Sequence, residues 1–174
     1  MSDNNESAQP KAAAKSYVTL NTLMMPEHAN HFGNVHGGVV MKLADEAAAI
    51  SAMRYAGRPA VTVAIDSMSF KEPISVGDLV TCEARVSYTR HSSMEVEVEV
   101  SAEDPISGHV THTNSAFFVF VALGPDGRPS PVPPLLLESA EDEERFQEGA
   151  QRQELRLRAL KKVRAFVRPK PDAS

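Results

Sequence analysis

The sequence contains few of the residues that would indicate several large classes of protein. It has one cysteine in 174 residues, no tryptophan, and only 6% aromatic residues. A single cysteine cannot form an intrachain disulfide, which excludes a disulfide-built secreted scaffold and fits a reducing cytosol. No stretch approaches the roughly 18–20 consecutive apolar residues of a membrane-spanning helix, so we expect no membrane association.

An excess of positive charge and a targeting segment are missing as well. The net charge is -5, so we expect no binding of nucleic acid. Residues 1–15, MSDNNESAQPKAAAK, lack the apolar core of a signal peptide. With 42% apolar and 24% charged residues, the chain has the composition of a soluble globular protein. We expect a cytoplasmic protein with a disordered N-terminus (1–15), one folded domain (16–137) and a charged helical tail (138–174).

Hydrophobic patterning predicts one strand, one long helix and then a run of strands. The helix, residues 38–56, is rich in alanine, and Gly57 follows it as a stop signal. Strands that follow a single helix favour an α+β fold with an antiparallel sheet wrapped around that helix. Because one helix cannot cover such a sheet, we expect association into at least a dimer. The predicted strands are residues 16–25, the run AVTVAIDSMSFKEPI, and residues 79–89, 93–104 and 109–123.

The clearest alternation lies in residues 93–104. The apolar members are expected to face the core, and Glu95, Glu97 and Glu99 to face water. The tail instead divides by charge: residues 138–148 carry six acids and one arginine, and residues 151–174 carry eight of the 18 basic residues. Such a helix could pair its charges with a neighbouring chain or form a site for phosphate groups.

The start of the long helix, His36-Gly37-Gly38, favours the binding of a polar group. Unpaired N–H groups and the positive end of the helix dipole lie at a helix start. Without side chains, Gly37 and Gly38 would let a bulky substrate come close to those N–H groups. The same three residues could instead be a plain tight turn into the helix.

Two neighbouring carboxylates, Asp45 and Glu46, lie inside the helix. Asp45 is about two turns, roughly 10 Å, from the helix start, too far to act on a group held there but able to reach one held by a second copy. Asp45 could instead pair with Lys42 or Arg54. Glu46 points about 100° away from Asp45, so we interpret it as structural or interfacial.

Successive blocks of this sequence resemble the single-domain hotdog acyl-CoA thioesterases. They are ANHFGNVHGG, VVMKLADEA, FKEPISVGDLV, SSMEVEVEV and PVPPL, and the resemblance runs from about Tyr17 to Leu137. It implies an α+β hotdog fold, in which a five-stranded antiparallel sheet wraps a long central helix, here with a C-terminal helical tail. It also implies homodimers with a continuous sheet, often three of them in a hexamer.

The resemblance implies hydrolysis of a fatty acyl-CoA to free acid and CoA, without a cofactor, since CoA is part of the substrate. It places Asn30 and Asp45 in the active site from opposite subunits and assigns the N–H groups of Gly37 and Gly38 to the thioester carbonyl. Asp45 could then be a general base or a nucleophile that forms an anhydride, and Asn30 could orient the attacking water.

The turn TRHSSM, residues 89–94, is a candidate for binding the nucleotide part of CoA. Arg90, Ser92 and Ser93 offer a guanidinium and hydroxyls that suit a phosphate, although the turn could also be an ordinary polar one. Lys71 and His36 are further candidates for contact with the substrate.

Three other readings are less consistent with the sequence. The spacing of His28, His31 and His36 matches no zinc pattern, so we expect no metal. A non-catalytic acyl-CoA-binding regulator on the same fold would need a helix-turn-helix, for which the N-terminal segment offers no residues. A hotdog dehydratase would need a site based on histidine, which Asn30 and Asp45 do not supply.

Overall fold

The computed structural model describes residues 9–166 and the side chains of residues 9–161. The first eight residues of the predicted N-terminus and the last eight of the predicted tail lie outside the described residues. The strands are β1 (Lys11–Ala12), β2 (Val18–Leu23), β3 (Ala60–Phe70), β4 (Leu79–Thr89), β5 (Ser93–Asp104), β6 (His109–Ala122) and β7 (Leu135–Leu136). The helices are α1 (Gly37–Ala56), α2 (Ala140–Phe166) and the short 3-10 helices Ala13–Ser16 and Pro26–His28.

Five strands form one antiparallel sheet in the order β2-β4-β5-β6-β3. The strand with the clearest alternation, β5, lies at its centre, and the aromatic strand β6 lies between β5 and β3. Strand β3 forms one edge. This arrangement confirms the predicted α+β hotdog fold, a long helix wrapped by a five-stranded antiparallel sheet.

Helix α1 packs against one face of this sheet and contacts all five of its strands. It starts at Gly37, one residue before the predicted start, and ends as predicted at Gly57, whose φ of 66° is left-handed and whose N–H donates to the Met53 carbonyl. Small side chains let the sheet approach the helix closely. Those with no exposed surface are Ala44, Ala47, Ala48, Ser51 and Ala52.

The single cysteine, Cys82, lies on β4 in the core between sheet and helix. Its side chain has no exposed surface, and it is a free thiol. Burial raises the pKa of this thiol to about 12, because the charged thiolate would lose its hydration. The thiol therefore stays protonated at neutral pH.

Helix α2 covers the opposite face of the sheet, and the prediction that Glu95 and Glu97 face water is wrong. Only 2% of Glu95 is exposed, and the guanidinium of Arg152 donates to both of its carboxylate oxygens. The Glu97 side chain is 15% exposed and pairs with Arg145 of α2. The alternation along β5 is as predicted, but the face opposite the core is covered as well. Of the helices in residues 9–166, none is long and apolar enough to cross a membrane.

The N-terminal segment is also more ordered than expected where the structure describes it. Lys11–Ala12 pair in parallel with Leu135–Leu136, and the Lys11 ammonium donates to the carbonyls of Arg54 and Tyr55, each at 2.9 Å. The segment therefore satisfies carbonyls at the C-terminal end of α1. Polar composition gives no sign of this order, because the partners of Lys11 are carbonyls of distant residues.

Candidate functional site

The start of helix α1 leaves one N–H group available. The Nδ1 atom of His36 accepts a hydrogen bond from the Gly38 N–H at 2.8 Å, so His36 caps the helix and occupies one of the two donors expected for a substrate carbonyl. The Gly37 N–H has no hydrogen-bond partner among residues 9–166. Of the two N–H groups predicted to bind the thioester carbonyl, only that of Gly37 is therefore unbonded among the described residues. Contact of His36 with substrate stays a prediction.

A pocket of about 310 Å³ lies beside this helix start. Asn30 and Gly37 line it together with Phe70 and Lys71, so the structure brings together three of the residues singled out from the sequence. The amide oxygen of Asn30 accepts a hydrogen bond from the Phe32 N–H at 2.8 Å. Its amino group keeps two donors that could hold an oxygen atom in the pocket.

Phe70 lines this pocket but was not predicted from the sequence as a site residue. A Cβ atom added to Gly37 would lie 3.3 Å from two carbons of the Phe70 ring, a closer approach than side chains normally make. Gly37 therefore allows the helix start and the end of β3 to meet. Half of the Phe70 side chain is exposed, and a phenylalanine in a strand pattern gives no sign that it ends beside a helix start.

Asp45 lies outside this pocket, eight residues or about 12 Å along α1 from Gly37. Its Oδ1 atom accepts a hydrogen bond from the Thr62 hydroxyl of β3 at 2.8 Å. The ion pairs considered as alternatives are not formed: Lys42 pairs with Glu46 at 3.4 Å, and Arg54 donates to the Tyr17 carbonyl. Thr62 was missed because a threonine is ordinary in a strand and its partner is 17 residues away.

The turn proposed for CoA lies at the other end of the sheet from the pocket. The Arg90 N–H donates to the Ser93 carbonyl at 2.9 Å, which confirms the turn. Ser93 pairs with Val121 of β6, and Val121 in turn pairs with Val61 near the start of β3. Phe70 ends the same strand, roughly 30 Å away at about 3.3 Å per residue. Within one chain, Arg90, Ser92 and Ser93 are therefore close to the Thr62 end of β3 and far from Asn30, Gly37 and Lys71.

Edge strand β3 thus connects two separate halves of the candidate site. Its Phe70 end carries the pocket, and its Thr62 end holds Asp45. Among the described residues, β3 has a neighbouring strand on one side only, and several of its apolar side chains are exposed; Val63, for example, is 56% exposed. Within residues 9–166, no three histidine, cysteine or acidic side chains are grouped as a metal site would require.

Known proteins share both the sequence pattern and this architecture. The Thioesterase superfamily model matches residues 32–119. The cytosolic acyl coenzyme A thioester hydrolase of Mus musculus is 37% identical over 166 residues, which are 94% of this chain. The chain spans 42% of the length of that mouse protein.

Two solved structures are similar over nearly their whole length. A hexameric acyl-CoA thioesterase, solved in its apo form, has 34% identity and a TM-score of 0.82, and the match covers 92% of this chain and 99% of that one. An acyl-CoA hydrolase from Staphylococcus aureus, solved with butyryl coenzyme A, coenzyme A and coenzyme A disulfide, has 33% identity and a TM-score of 0.81, with 89% and 95% covered. With its sequence, its fold and this extent of similarity, the chain belongs to the thioesterase superfamily.

Proposed function

We propose that this protein hydrolyses acyl-CoA thioesters, fatty acyl-CoA among them, to the free acid and CoA in the cytosol, without a cofactor. The observation that carries the proposal is the division of the site along β3. If two copies pair their β3 strands antiparallel, the Thr62 end of one strand lies beside the Phe70 end of the other. Asp45 of one copy then faces the pocket of the other, which contains Asn30 and Gly37.

Solved variants of the Staphylococcus aureus hydrolase support these residues. That protein has been solved with an aspartate, an asparagine or a threonine replaced by alanine. In its numbering, the asparagine precedes the aspartate by 15 residues, and the threonine follows the aspartate by 17. Asn30, Asp45 and Thr62 have the same two spacings here, which supports Thr62 as a third member of the site.

The reaction can be written with these groups. Asp45 takes a proton from a water molecule while the water oxygen attacks the thioester carbonyl carbon. The Gly37 N–H and the Asn30 amino group donate to oxygen atoms of the substrate and the water, so that charge on the carbonyl oxygen is stabilised as it develops. The carbon–sulfur bond then breaks, and the CoA sulfur leaves and takes up the proton. Direct attack by Asp45 to form an anhydride remains the alternative path.

The nucleotide part of CoA is assigned to the turn near Asp45. Arg90 is exposed and stands beside the hydroxyls of Ser92 and Ser93, so the turn can bind a phosphate. Lys71, at the pocket, is a second cation for the same ligand. Three β3-paired dimers would form a hexamer, the assembly named for the similar apo thioesterase.

Replacement of Asp45 tests the function. Asp45→Ala should lower kcat for palmitoyl-CoA by about 10²–10⁴-fold, since a general base contributes that much. Release of CoA can be followed with a thiol reagent and the assembly by light scattering. Glu46→Ala is the matched control, because Glu46 is exposed and pairs with Lys42; it should keep activity within threefold.

Mixing of inactive variants tests the shared site. After subunit exchange, Asn30→Ala protein combined with Asp45→Ala protein should regain activity, because one of the two sites in a mixed dimer is whole. A lack of recovery after verified exchange would contradict the division of the site between copies. Activity of Asp45→Ala within threefold of the unaltered protein would contradict the role of Asp45.

A further inference from the structure

Helix α2 crosses the outer face of the sheet strand by strand. The Phe146 ring packs on Tyr88 of β4 with 4.8 Å between ring centroids, the Arg152 guanidinium lies 3.7 Å from the centre of the Phe117 ring of β6, and Arg156 reaches Asp66 of β3. Ten helical residues rise about 15 Å, which matches three strand spacings of about 4.8 Å. The helix therefore runs across the strands and reaches the edge strand with Arg156.

The Arg156 guanidinium forms a bidentate salt bridge with the Asp66 carboxylate. Its Nε atom donates to Oδ1 at 2.6 Å, and its Nη2 atom donates to Oδ2. Both side chains are mostly buried, with 13% of Arg156 and 18% of Asp66 exposed. A guanidinium and a carboxylate paired in this way are fixed in orientation as well as in distance.

Asp66 occupies an irregular position of the edge strand. Ile65 pairs with Phe118 and Ser67 pairs with Phe117, so Asp66 has no partner on β6. Such an extra residue bends a strand, and moving it by one position would turn the following side chains to the other face. Within a single copy, β3 is bonded to a neighbouring strand along one side only, and among the described residues Arg156 of α2 holds Asp66 from the outer face of the sheet. In the proposed dimer the other side of β3 pairs with the partner strand, which does not replace this side-chain contact.

The pinned residue lies midway between the two halves of the candidate site. Asp66 is four residues after Thr62, which bonds to Asp45, and four residues before Phe70, whose ring lies against Gly37. Any change in the path of β3 at Asp66 alters the distance and direction between these two ends. The contact with Arg156 therefore holds β3 at the residue that determines how far apart, and in which direction, Thr62 and Phe70 lie.

We propose that Arg156 of the C-terminal helix is a positioning residue for thioester hydrolysis: by holding Asp66 it fixes the irregularity of β3, and thereby the placement of Thr62 and Phe70. This inference rests on the proposed function. Arg156 contacts neither substrate nor reacting atoms; it acts through Asp66.

Two single variants and their combination test the pair. Arg156→Ala and Asp66→Asn should each lower kcat for palmitoyl-CoA about 10–100-fold with KM within threefold, because the aspartate base is misplaced while the contacts to CoA persist. The double variant should lose no more than Arg156→Ala alone, since that variant already removes the contact with Asp66 together with a 3.5 Å contact to Glu95. The kcat of Arg156→Lys should remain at least fivefold below that of the unaltered protein, because an ammonium group cannot form the bidentate salt bridge.

Arg158→Ala is the matched control on the same helix. Arg158 is exposed and pairs only with Glu154 of its own helix among the described residues, so kcat should stay within twofold. A readout independent of activity is hydrogen exchange of the amides from Thr62 to Phe70, which should become at least tenfold faster in Arg156→Ala and Asp66→Asn and stay unchanged in Arg158→Ala.

The inference is overturned if folded Asp66→Asn or Arg156→Ala protein keeps kcat within twofold and shows normal hydrogen exchange in β3. It is also overturned if the kcat losses of the two single variants multiply in the double variant, or if the Arg156→Lys protein has full activity. Should Arg156→Ala fail to fold, Asp66→Asn decides alone, because it keeps the arginine and the shape of the acid. If the unaltered protein hydrolyses no acyl-CoA, the proposed function fails, and exchange in β3 still decides whether Arg156 holds that strand.

Discussion

Helix α1 meets one face of the sheet through fully buried alanines, whereas helix α2 meets the other face through arginines and carboxylates. On the α1 side, fit depends on side-chain size, since the alanines have no polar groups to orient them. On the α2 side, three acids of the sheet are bound by arginines of the helix. These pairs are Glu97 with Arg145, Glu95 with Arg152, and Asp66 with Arg156.

The two faces therefore differ in what they tolerate. An apolar contact is non-directional, so it can adjust to small shifts, but it cannot accept extra volume. A buried ion pair contributes little net stability compared with an apolar contact, yet removal of one partner leaves an unpaired charge and costs far more. The α2 face thus specifies one position of the helix, whereas the α1 face supplies most of the buried apolar surface.

The largest effect is expected from a loss of charge on the α2 face. Glu95→Gln keeps the shape of the side chain but leaves Glu148 as the only carboxylate partner of Arg152 among the described residues, and it should lower the free energy of unfolding by about 3–5 kcal/mol in urea denaturation. Glu154→Ala is the control; it removes an exposed pair within α2 and should cost less than about 1 kcal/mol. A similar small loss for both variants would show that charge does not hold this face.

A smaller effect is expected from added volume on the α1 face. Ala48 has no exposed surface, so Ala48→Leu should destabilise the fold by about 1–3 kcal/mol through overpacking. The same substitution at exposed Ala159 of α2 is the control and should be nearly neutral. If Ala48→Leu cost more than Glu95→Gln, the contrast between the two faces would be reversed.

The smallest effect is expected at Gly149, where α2 lies close against the sheet. A Cβ atom added to Gly149 would lie 2.6 Å from the Cβ of Tyr88 and 2.9 Å from Oε1 of Glu95, so the helix must shift. Gly149→Ala should combine an overpacking cost of about 1–3 kcal/mol with a gain of about 1 kcal/mol in helix propensity, a net loss of up to about 2 kcal/mol. Gln151→Ala, on the exposed side, is the control; a stabilised Gly149→Ala protein would mean that the helix is free to move away.

The sequence predicted what depends on local periodicity. Alternation located β5, the alanine run and Gly57 located α1, and the Gly37-Gly38 pair located the helix start to within one residue, because each signal lies within a few residues of the feature it predicts. Glu95 was misplaced because its partner Arg152 is 57 residues away, and alternation cannot distinguish a face covered by a helix from a face covered by water.

Part of the candidate site could also be predicted, because some of its residues lie in short sequence blocks, whereas residues that join it through long-range contacts could not. Asn30, Gly37 and Asp45 were named from the resemblance of sequence blocks near α1, and their roles stay predictions. Thr62 and Phe70 were missed because their roles come from contacts with residues 17 and 33 positions earlier, across the helix–sheet boundary.

The buried thiol of Cys82 has a practical consequence for labelling chemistry. Thiol reagents attack the thiolate, and this thiol is inaccessible and has a pKa of about 12, so the folded protein should contribute no signal when released CoA is trapped by a coloured disulfide reagent. The natural chain then already serves as a cysteine-free background. A single cysteine introduced at Ser67 of β3, which is exposed in a single copy, would carry a spectroscopic probe that reports on the proposed pairing of two β3 strands.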